Sequence, residues 1–354
     1  MKTIKIKNRK IGDGQTVFIV AELGINHNGD LALAKKMIKS AKKCGADAVK
    51  IQSFITEELI GDKNLEYTYK SQGKKVTETQ YHMFKRYELD KKAQKELFDF
   101  ASKQNIILFS TPQDSNFKTV DYLCSKEINM PAIKVGSDDL TNLPMLSYYA
   151  KKMKPLIISA GMATLEEIKD AVNIIERSGN KNLIILKCTA AYPAQSKDLN
   201  LLQIAVLRKM FNKIIGFSDH TVGSTAAVAA VILGATVIEK HFTVDKNLPG
   251  PDHWFSSDPK EFKQMVEQIR QAEMMPGNTD FSLSEAEKTQ RIAARRSLMT
   301  VEPIQKGQMI KEDQIVFKRP GSGLSIKHLY KIVGKKAKHD FPKGYIFKTS
   351  DLQR

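Results

Sequence analysis

Two histidines, His220 and His241, each end a short apolar run, in the sequences IIGFSDH and TVIEKH. Between them, residues 223–235 read GSTAAVAAVILGA, which predicts one buried helix. Strand, helix and strand in succession bring both strand ends to one edge of a parallel sheet. Because imidazole is the commonest metal ligand in proteins, the pair suggests a divalent-metal site, incomplete with two ligands alone. Two unrelated histidines, one buried and one on the surface, are the alternative at this point.

Polar side chains also end the other apolar runs of the chain. Lys50 and Lys134 are the most informative, because a lysine that faces the inside of a barrel must be paired or must bind an anion. Two lysines and several hydroxyls around one opening suit a phosphate or a carboxylate. Alternation along each strand leaves open that one lysine points outward. The other polar residues at these ends are Glu22, Asn26, His27, Gln52, Ser110, Thr111, Ser137, Asp139, Ser159, Lys187, Thr189, Tyr192, Ser218, Asp219, Glu239 and Lys240.

The elements that position these residues alternate regularly between strand and helix patterns. Eight such repeats predict a (β/α)₈ TIM barrel, whose typical length is ~250 residues. A doubly wound open sheet is the alternative, but it would carry a glycine-rich fingerprint after the first strand, and AELGINHNG is not one. The predicted strands are VFIVAEL (17–23), DAVKIQS (47–53), IILFST (106–111), AIKVGS (132–137), PLIISAG (155–161), LIILKCT (183–189), IIGFSD (214–219) and TVIEKH (236–241).

The pattern changes after Pro276, and we predict three parts. Residues 1–277 form the barrel, and residues 278–294, first turn-rich and then polar and helical, form a linker. Residues 295–354 contain short apolar runs separated by glycines, which indicates a small β-rich domain. So small a core is marginally stable alone, so we expect the domain to dock against something larger.

The charge of +17 is unevenly distributed along the 354 residues. From Arg295 onward, 14 Lys and Arg stand against 5 Asp and Glu, which gives this segment +9 of the total. A basic segment can contact nucleic acid, an anionic membrane or an acidic substrate. The lysines are scattered with few aromatic residues between them, as in KKAKHDFPKG, so a solvated basic face is favoured and no nucleic acid partner is predicted.

Cysteine usage and apolar run lengths predict a soluble cytoplasmic protein. Cys44, Cys124 and Cys188 are widely spaced and an odd number, which argues against a disulfide framework and fits a reducing compartment. The basic start MKTIKIKNRK lacks the apolar segment of a signal peptide. The longest apolar run, residues 226–238, is too short to cross a hydrocarbon core of ~30 Å, so no membrane partner is expected.

Ten stretches, in this order and spacing, resemble the sialic acid synthase family over nearly the whole chain. The resemblance implies a TIM barrel joined to a small C-terminal domain similar to type III antifreeze protein, the SAF domain. It also implies that phosphoenolpyruvate condenses with an N-acyl hexosamine to give a nine-carbon 2-keto acid and phosphate. The stretches are AELGINHNG, KIQS, FSTPQD, IKVGS, SAGMAT, CTAAYP, GFSDHT, EKHFTVDKNLPGPDH, ARRSL and KRPGSG.

The resemblance also implies a role for individual residues. His220 and His241 match the ligands of a Mn²⁺ ion, for which Mg²⁺ or another divalent cation can substitute. Glu22 and Asp139 match acids near the attacking water, and Arg319 matches an arginine that enters the barrel of the partner subunit, which implies a domain-swapped homodimer. The residues implied to bind substrate are Lys50, Gln52, Thr111, Lys134, Ser137, Ser159 and Ser218, with Tyr192 and Asp252 on the amino sugar; Lys50 and Lys134 are also counted as catalytic.

The expected activity is N-acetylneuraminate synthase, which uses N-acetylmannosamine. A sibling enzyme, N,N'-diacetyllegionaminic acid synthase with a diacetamido-trideoxyhexose as substrate, is the alternative. The choice is open because Ala190 replaces an asparagine of some sialic acid synthases, and Asp138 and Asp139 replace a glycine and a glutamate. A third hypothesis is a barrel that has lost activity and whose basic tail binds a polyanion.

Overall fold

The computed structural model describes residues 2–277 and 279–352, which fall into two compact units, residues 1–277 and 278–354. The strands are β1 (Thr3–Ile6), β2 (Arg9–Gly12), β3 (Phe18–Gly24), β4 (Ala48–Phe54), β5 (Glu66–Ser71), β6 (Lys74–Thr79), β7 (Ile107–Gln113), β8 (Ile133–Val135), β9 (Leu156–Ser159), β10 (Leu183–Cys188), β11 (Ile214–Asp219), β12 (Val237–His241), β13 (Ser297–Thr300) and β14 (Ile315–Lys318). The helices are α1 (Leu31–Lys43), α2 (Thr56–Leu59), α3 (Gln80–Tyr87), α4 (Lys91–Lys103), α5 (Lys118–Cys124), α6 (Leu143–Ala150), α7 (Leu165–Arg177), α8 (Gln203–Phe211), α9 (Thr225–Ile232), α10 (Pro259–Ala272) and α11 (Glu285–Ala294).

The first unit is a closed barrel, which confirms the predicted (β/α)₈ fold and excludes the doubly wound sheet. Eight parallel strands follow one another around it in the order β10, β11, β12, β3, β4, β7, β8 and β9. Closure depends on the pairing of β12 with β3, where His241 is opposite Glu22, and the next pairing places Glu22 opposite Lys50. The strand ends predicted to carry chemistry therefore meet at one opening of the barrel.

Helix α10 shows how capping residues fix the start of a helix on the outside of the barrel. Asp258 caps the start of α10 in a capping box with Glu261, and Pro259 occupies the first turn, where its missing N–H costs nothing. Helix α10 buries Phe262 and Ile269 on its inner face and leaves charged residues outside. The helix therefore packs one apolar face against the strands, as the 3.6-residue spacing of its apolar residues predicts.

The stretch between β4 and α4, residues 55–90, which we call the 55–90 insertion, lies between the second and third predicted strands. It contains α2, the antiparallel hairpin of β5 and β6, and α3. Met83 and Tyr87 of α3 form a small apolar core with Phe54 and Ile25, separate from the main core of the barrel. Tyr69 and Phe84 pack against this core, so the insertion is a structured element rather than a loop.

The second unit is small and β-rich, as predicted. Strands β13 and β14 pair antiparallel, and isolated bridges link the remaining short segments. Leu298, Ile304, Phe341 and Phe347 belong to its own buried core. The predicted linker contains α11, which is capped by Ser284 and groups with this unit. Within residues 2–277 and 279–352, no helix is long and apolar enough to cross a membrane.

Two fully buried histidines connect the loops that follow β3 and β12. The ring nitrogens of His253 lie 2.7 Å from the Thr243 hydroxyl and 3.3 Å from the Asn28 side-chain oxygen. His27 accepts a hydrogen bond of 3.1 Å from the backbone N–H of Gly29. Burial lowers the pKa of each to about 4, and for His27 the neighbouring His253 lowers it further. Both imidazoles are therefore neutral at pH 7.

We predict that the barrel loses stability as the pH falls below about 6.5, the ordinary histidine pKa, toward the folded-state pKa of about 4. The unfolded chain takes up protons in this window and the folded chain does not, so the free energy of unfolding falls by about 2 kcal/mol per histidine at pH 4.5. Urea unfolding in EDTA, followed by circular dichroism between pH 7.5 and 4.5, measures this slope.

The His253→Gln variant removes one titrating group and keeps a side chain able to hydrogen-bond, so its slope over this window is shallower than that of the parent. His82→Gln, at an exposed position, is the matched control and should keep the parental slope. Equal slopes for His253→Gln and the parent would contradict the assignment.

Candidate active site

A cavity of about 340 Å³ opens at the carboxyl-terminal ends of the barrel strands. This is the end of a TIM barrel where active sites are built. Twelve of the residues predicted from the sequence line it: Glu22, Lys50, Gln52, Thr111, Lys134, Ser137, Ser159, Tyr192, Ser218, His220, His241 and Asp252. The structure therefore brings together side chains that lie on all eight strands or on the loops that follow them.

Lys50 on β4 and Glu22 on β3 form a buried ion pair. The Lys50 Nζ lies 2.9 Å from Glu22 Oε2 and donates a hydrogen bond of 3.1 Å to Thr111 Oγ1. Burial, partly offset by Lys50 and reinforced by Glu239, raises the pKa of Glu22 to about 7. For Lys50, burial alone would lower the pKa, but attraction to Glu22 and Glu239 together outweighs the burial and raises it. Glu22 is therefore poised between its charged and neutral forms near neutral pH, as a proton carrier requires.

A second lysine, Lys134 on β8, lies in the same ring of strand ends. Its Nζ donates hydrogen bonds to Ser159 Oγ (2.7 Å) and to the backbone oxygen of Val135 (2.8 Å). Glu239 Oε1 lies 3.8 Å from this Nζ and accepts a hydrogen bond of 3.0 Å from Ser218 Oγ. Burial lowers the pKa of Lys134, so the nearby carboxylate is what favours its charged form.

Glu239 was predicted only as one of the polar residues at the strand ends and was given no role, although it lines the cavity and is buried. Burial opposes its ionisation, but Lys134 and Lys50 together hold its pKa below the usual range. The sequence did contain a signal. Glu239 lies two residues before His241 on one strand, and residues two apart face the same side.

His220 and His241 lie side by side, with ring centroids 5.3 Å apart. His220 Nδ1 lies 2.9 Å from the backbone oxygen of Thr189, so a proton placed on Nδ1 leaves Nε2 free as a ligand. His241 Nδ1 is buried without a hydrogen-bond partner among the described residues and lies 3.7 Å from Asp252 Oδ2. Burial and the neighbouring His220 hold the pKa of His241 well below its usual range.

This arrangement fits a divalent cation. Two imidazoles, one of them with an orphaned buried nitrogen, and the nearby carboxylate of Asp252 provide nitrogen and oxygen donors. Within the described residues, however, no group of three or more His, Cys, Asp or Glu side chains is arranged to hold a metal ion. Substrate and water would therefore have to complete the coordination, as in catalytic sites with open positions.

The structure places Asp138, rather than Asp139, on the cavity wall. Asp138 accepts a hydrogen bond of 2.7 Å from Gln113 Nε2, a second cavity residue that sequence reasoning missed. Asp139 is partly buried outside this lining, and burial, with the nearby Asp138, raises its pKa to about 6. Arg319 lies in the second unit, where it is exposed and makes no hydrogen bond or ion pair with another described residue.

Tyr192 covers the histidine pair from the loop after β10. Its ring lies 4.3 Å from that of His220 and 5.9 Å from that of His241, measured between centroids. Cys188, another cavity residue that was not predicted, places its Sγ 3.9 Å from His220 Nδ1. Ala190 lines the same side, so there is room beside the histidines for a substrate group.

One side of the cavity, which we call the outer wall, comes mainly from the 55–90 insertion. It consists of Ile25 from the loop after β3 together with Tyr67, Gln80, Met83 and Phe84 from the insertion. None of these residues was predicted, because they reach the cavity only through the tertiary packing of the insertion.

The fold and the site together define a class of protein. A closed (β/α)₈ barrel with buried lysines, carboxylates and paired histidines at the carboxyl-terminal strand ends is an enzyme that handles anionic substrates. Residues 37–281 match the model of the NeuB family, and residues 295–353 match the SAF domain. The chain belongs to the NeuB family.

Similar proteins are named as synthases of nonulosonic acids. The N,N'-diacetyllegionaminic acid synthase of Campylobacter jejuni is 42% identical over 325 residues, which cover 91% of this chain and 96% of that protein. The pseudaminic acid synthase of the same species is 38% identical over 337 residues, 95% of this chain and 97% of that protein. A crystal structure of N-acetylneuraminic acid synthetase from Leptospira borgpetersenii has 33% identity and a TM-score of 0.72, covering 82% of this chain and 95% of that one.

These proteins establish the chain as an enzyme of the nonulosonic acid synthase family, which forms a carbon–carbon bond. Their names give three different products, so family membership leaves the sugar open. The predicted resemblance to the sialic acid synthase family is confirmed at this level.

We predict that Lys50→Met destabilises the barrel by about 3 kcal/mol at pH 8, because it leaves the Glu22 carboxylate buried without its partner. Adding Glu22→Gln to the same chain should recover at least half of that loss. Urea unfolding measures the free energy of unfolding of Lys50→Met and of the double variant.

The surface pair of Lys95 and Asp99 is the matched control, with a similar N–O distance of 2.8 Å but side chains 40% and 53% exposed. Lys95→Met should leave the free energy of unfolding nearly unchanged, because solvent screens an exposed ion pair. If Lys50→Met changes the free energy of unfolding as little as Lys95→Met does, the buried ion pair does not stabilise the fold more than the exposed pair, and the prediction is wrong.

Proposed function

We propose that this protein condenses phosphoenolpyruvate with an N-acyl hexosamine and releases inorganic phosphate. One observation carries the proposal: Lys50 and Lys134, both buried and each already bonded to a hydroxyl, lie in the same cavity as the histidine pair. Buried cations next to hydroxyl groups suit a ligand with a carboxylate and a phosphate. The paired imidazoles are placed to hold a metal for the other reactant.

The chemistry follows from these positions. C3 of the enol phosphate attacks the aldehyde carbon of the open-chain sugar, and water adds at C2. The resulting tetrahedral intermediate then loses phosphate by cleavage of its C–O bond. A divalent cation held by His220 and His241, Mn²⁺ first among the candidates, would supply Lewis acidity toward the aldehyde oxygen.

The other side chains bind, orient and move protons. Lys50 and Lys134 neutralise the carboxylate and phosphate, with Thr111, Ser159 and Ser218 donating hydrogen bonds to the same groups. Glu22 has the position and the pKa of about 7 to take the proton of the attacking water. Asp139 stays the predicted second acid near the attacking water, and the neighbouring Asp138, which lines the cavity, is a further candidate for this role.

Two sugars are the candidates. N-acetylmannosamine would give N-acetylneuraminate, the activity expected from the sequence. A diacetamido-trideoxyhexose would give N,N'-diacetyllegionaminic acid, and the 42% identity with a synthase of that product supports this second candidate. The inactive barrel has no support, because functional side chains occupy the cavity throughout. Action in the cytoplasm stays a prediction.

We also propose a homodimer in which Arg319 of one copy reaches the cavity of the other. Exposed apolar side chains border the barrel opening on neighbouring strands: Met162 and Leu165 follow β9, Tyr192 follows β10 and Val222 follows β11. They are 41–72% exposed, which is typical of a surface that another protein covers. Arg319, exposed and unpaired among the described residues, is free to bind a substrate group.

We predict that phosphate release requires Mn²⁺ and both substrates, and that His220→Ala lowers kcat/KM at least about 100-fold because one metal ligand is lost. A second measurement does not depend on activity: Mn²⁺ should raise the Tm of the parent by binding the folded state, and this shift should vanish in His220→Ala. A metal-dependent Tm shift of equal size in His220→Ala would contradict the assigned ligand.

We predict that Arg319→Ala raises KM for the sugar about 10-fold and leaves KM for phosphoenolpyruvate unchanged, because a lost hydrogen bond to a charged group costs this much. Lys318→Ala, which removes the adjacent exposed cation, is the control. Mixing the inactive His220→Ala protein with Arg319→Ala under conditions of subunit exchange should restore activity above that of either alone. A mixture that equals the average of its components would exclude sharing of the site between copies.

A further inference from the structure

The pairing between β11 and β12 ends one residue before the two histidines of the cavity. Its last pair places Asp219 opposite Lys240. His220 lies directly after β11, and His241 is the last residue of β12, where it pairs on its far side with Glu22 of β3. The strand register therefore brings the histidines close together, but the last paired residues of these two strands lie one step before them.

Lys240 holds the chain on both sides of His220. Its Nζ lies 2.8 Å from Asp219 Oδ2 and donates a second hydrogen bond to the backbone oxygen of Thr221. The other carboxylate oxygen, Asp219 Oδ1, accepts a hydrogen bond of 2.8 Å from the backbone N–H of Thr221. One ammonium group is therefore bonded on both sides of His220 and lies next to His241 in the chain.

The side chains of this ion pair point away from the cavity. Neighbouring residues of a strand face opposite sides, and Ser218 and Glu239, which precede Asp219 and Lys240, line the cavity. Among the described residues that line it, neither Asp219 nor Lys240 occurs. Each is only 1% exposed. The pair can therefore affect a ligand in the cavity only through the residues that it holds.

Stability alone does not account for two charges at this place. Taking a carboxylate and an ammonium group out of water opposes folding, and their attraction often does no more than offset this loss. Apolar side chains of similar volume can stabilise a buried site equally well. They cannot, however, supply the directed hydrogen bonds that Lys240 and Asp219 make to the chain around His220.

We infer that Asp219 and Lys240 are positioning residues, which set the distance between the two histidines for a bound divalent cation. This inference rests on the metal site proposed at those histidines. Because Lys240 ties the end of β12 to the chain on both sides of His220, the two imidazoles keep one spacing. Replacing residues that orient metal ligands from behind typically weakens metal binding about 10- to 100-fold.

The test replaces the charged pair by an apolar pair in the full-length protein. The double variant Asp219→Leu with Lys240→Met fills the space of the two side chains but makes none of their hydrogen bonds. We expect its Tm in EDTA to stay close to that of the parent. Its Kd for Mn²⁺, measured by isothermal titration calorimetry well below the Tm, should rise about 10- to 100-fold.

A second variant covers the case in which the double variant does not fold. Asp219→Asn keeps the shape of the side chain and an acceptor oxygen for the Thr221 N–H, but it removes the charge that holds Lys240. A hydrogen bond between two charged groups is roughly twice as strong as one between neutral groups. We therefore expect Asp219→Asn to raise the Kd for Mn²⁺ about 10-fold, the lower end of the same range.

Lys213→Met is the matched control. Lys213 lies just before β11, at the opposite end of that strand, with a side chain 12% exposed and paired with Glu176. Its replacement also removes an ion pair from the barrel, so a general loss of stability would appear as a lower Tm. The Kd for Mn²⁺ should keep its parental value, because Lys213 is remote from the histidines.

The outcomes separate the inference from the metal site on which it rests. A parental Kd in the double variant, or in Asp219→Asn where the double variant does not fold, overturns the inference alone. A rise of the Kd as large in Lys213→Met as in the test variant does the same. If the parent binds no Mn²⁺ by calorimetry and Mn²⁺ does not shift its Tm, the proposed metal site falls and the inference with it.

Discussion

Four charges inside a closed barrel must neutralise one another, and the site is arranged around this requirement. Glu22 with Lys50, and Glu239 with Lys134, bring two carboxylates and two ammonium groups to strand ends that water barely reaches. An unpaired charge here would destabilise the fold by several kcal/mol. Each of these side chains is therefore held close to its oppositely charged partner.

The barrel strands and the 55–90 insertion contribute different parts of the cavity. The barrel strands supply the charged residues and histidines, whose positions are fixed by strand register. The insertion supplies further lining residues, and the hydrogen bond from the Gly250 N–H to Ser71 Oγ connects it to the loop that carries Asp252. The similar proteins are named for three different products, so the sugar is not fixed by the shared barrel.

The barrel and most of its cavity were predictable because buried parallel strands read as apolar runs with polar residues at their ends. Which single residue of a short loop lines the cavity was not predictable. β8 has only three residues and runs into a short 3-10 helix at Ser137–Asp139, so no pattern could decide that Asp138 lines the cavity. Met83 and Phe84 were not predictable for another reason, because the tertiary packing of the 55–90 insertion brings them to the cavity.

The pairing of β12 with β3 joins the last barrel strand to the first, and it places His241 opposite Glu22 although 219 residues separate them in the chain. During synthesis the first strands are made long before the residues that complete their site. A chain without β12 lacks both His241 and Glu239 and leaves β3, the strand of Glu22, without its neighbour on that side. The cavity therefore has its full set of lining residues only when the last barrel strand pairs with the first.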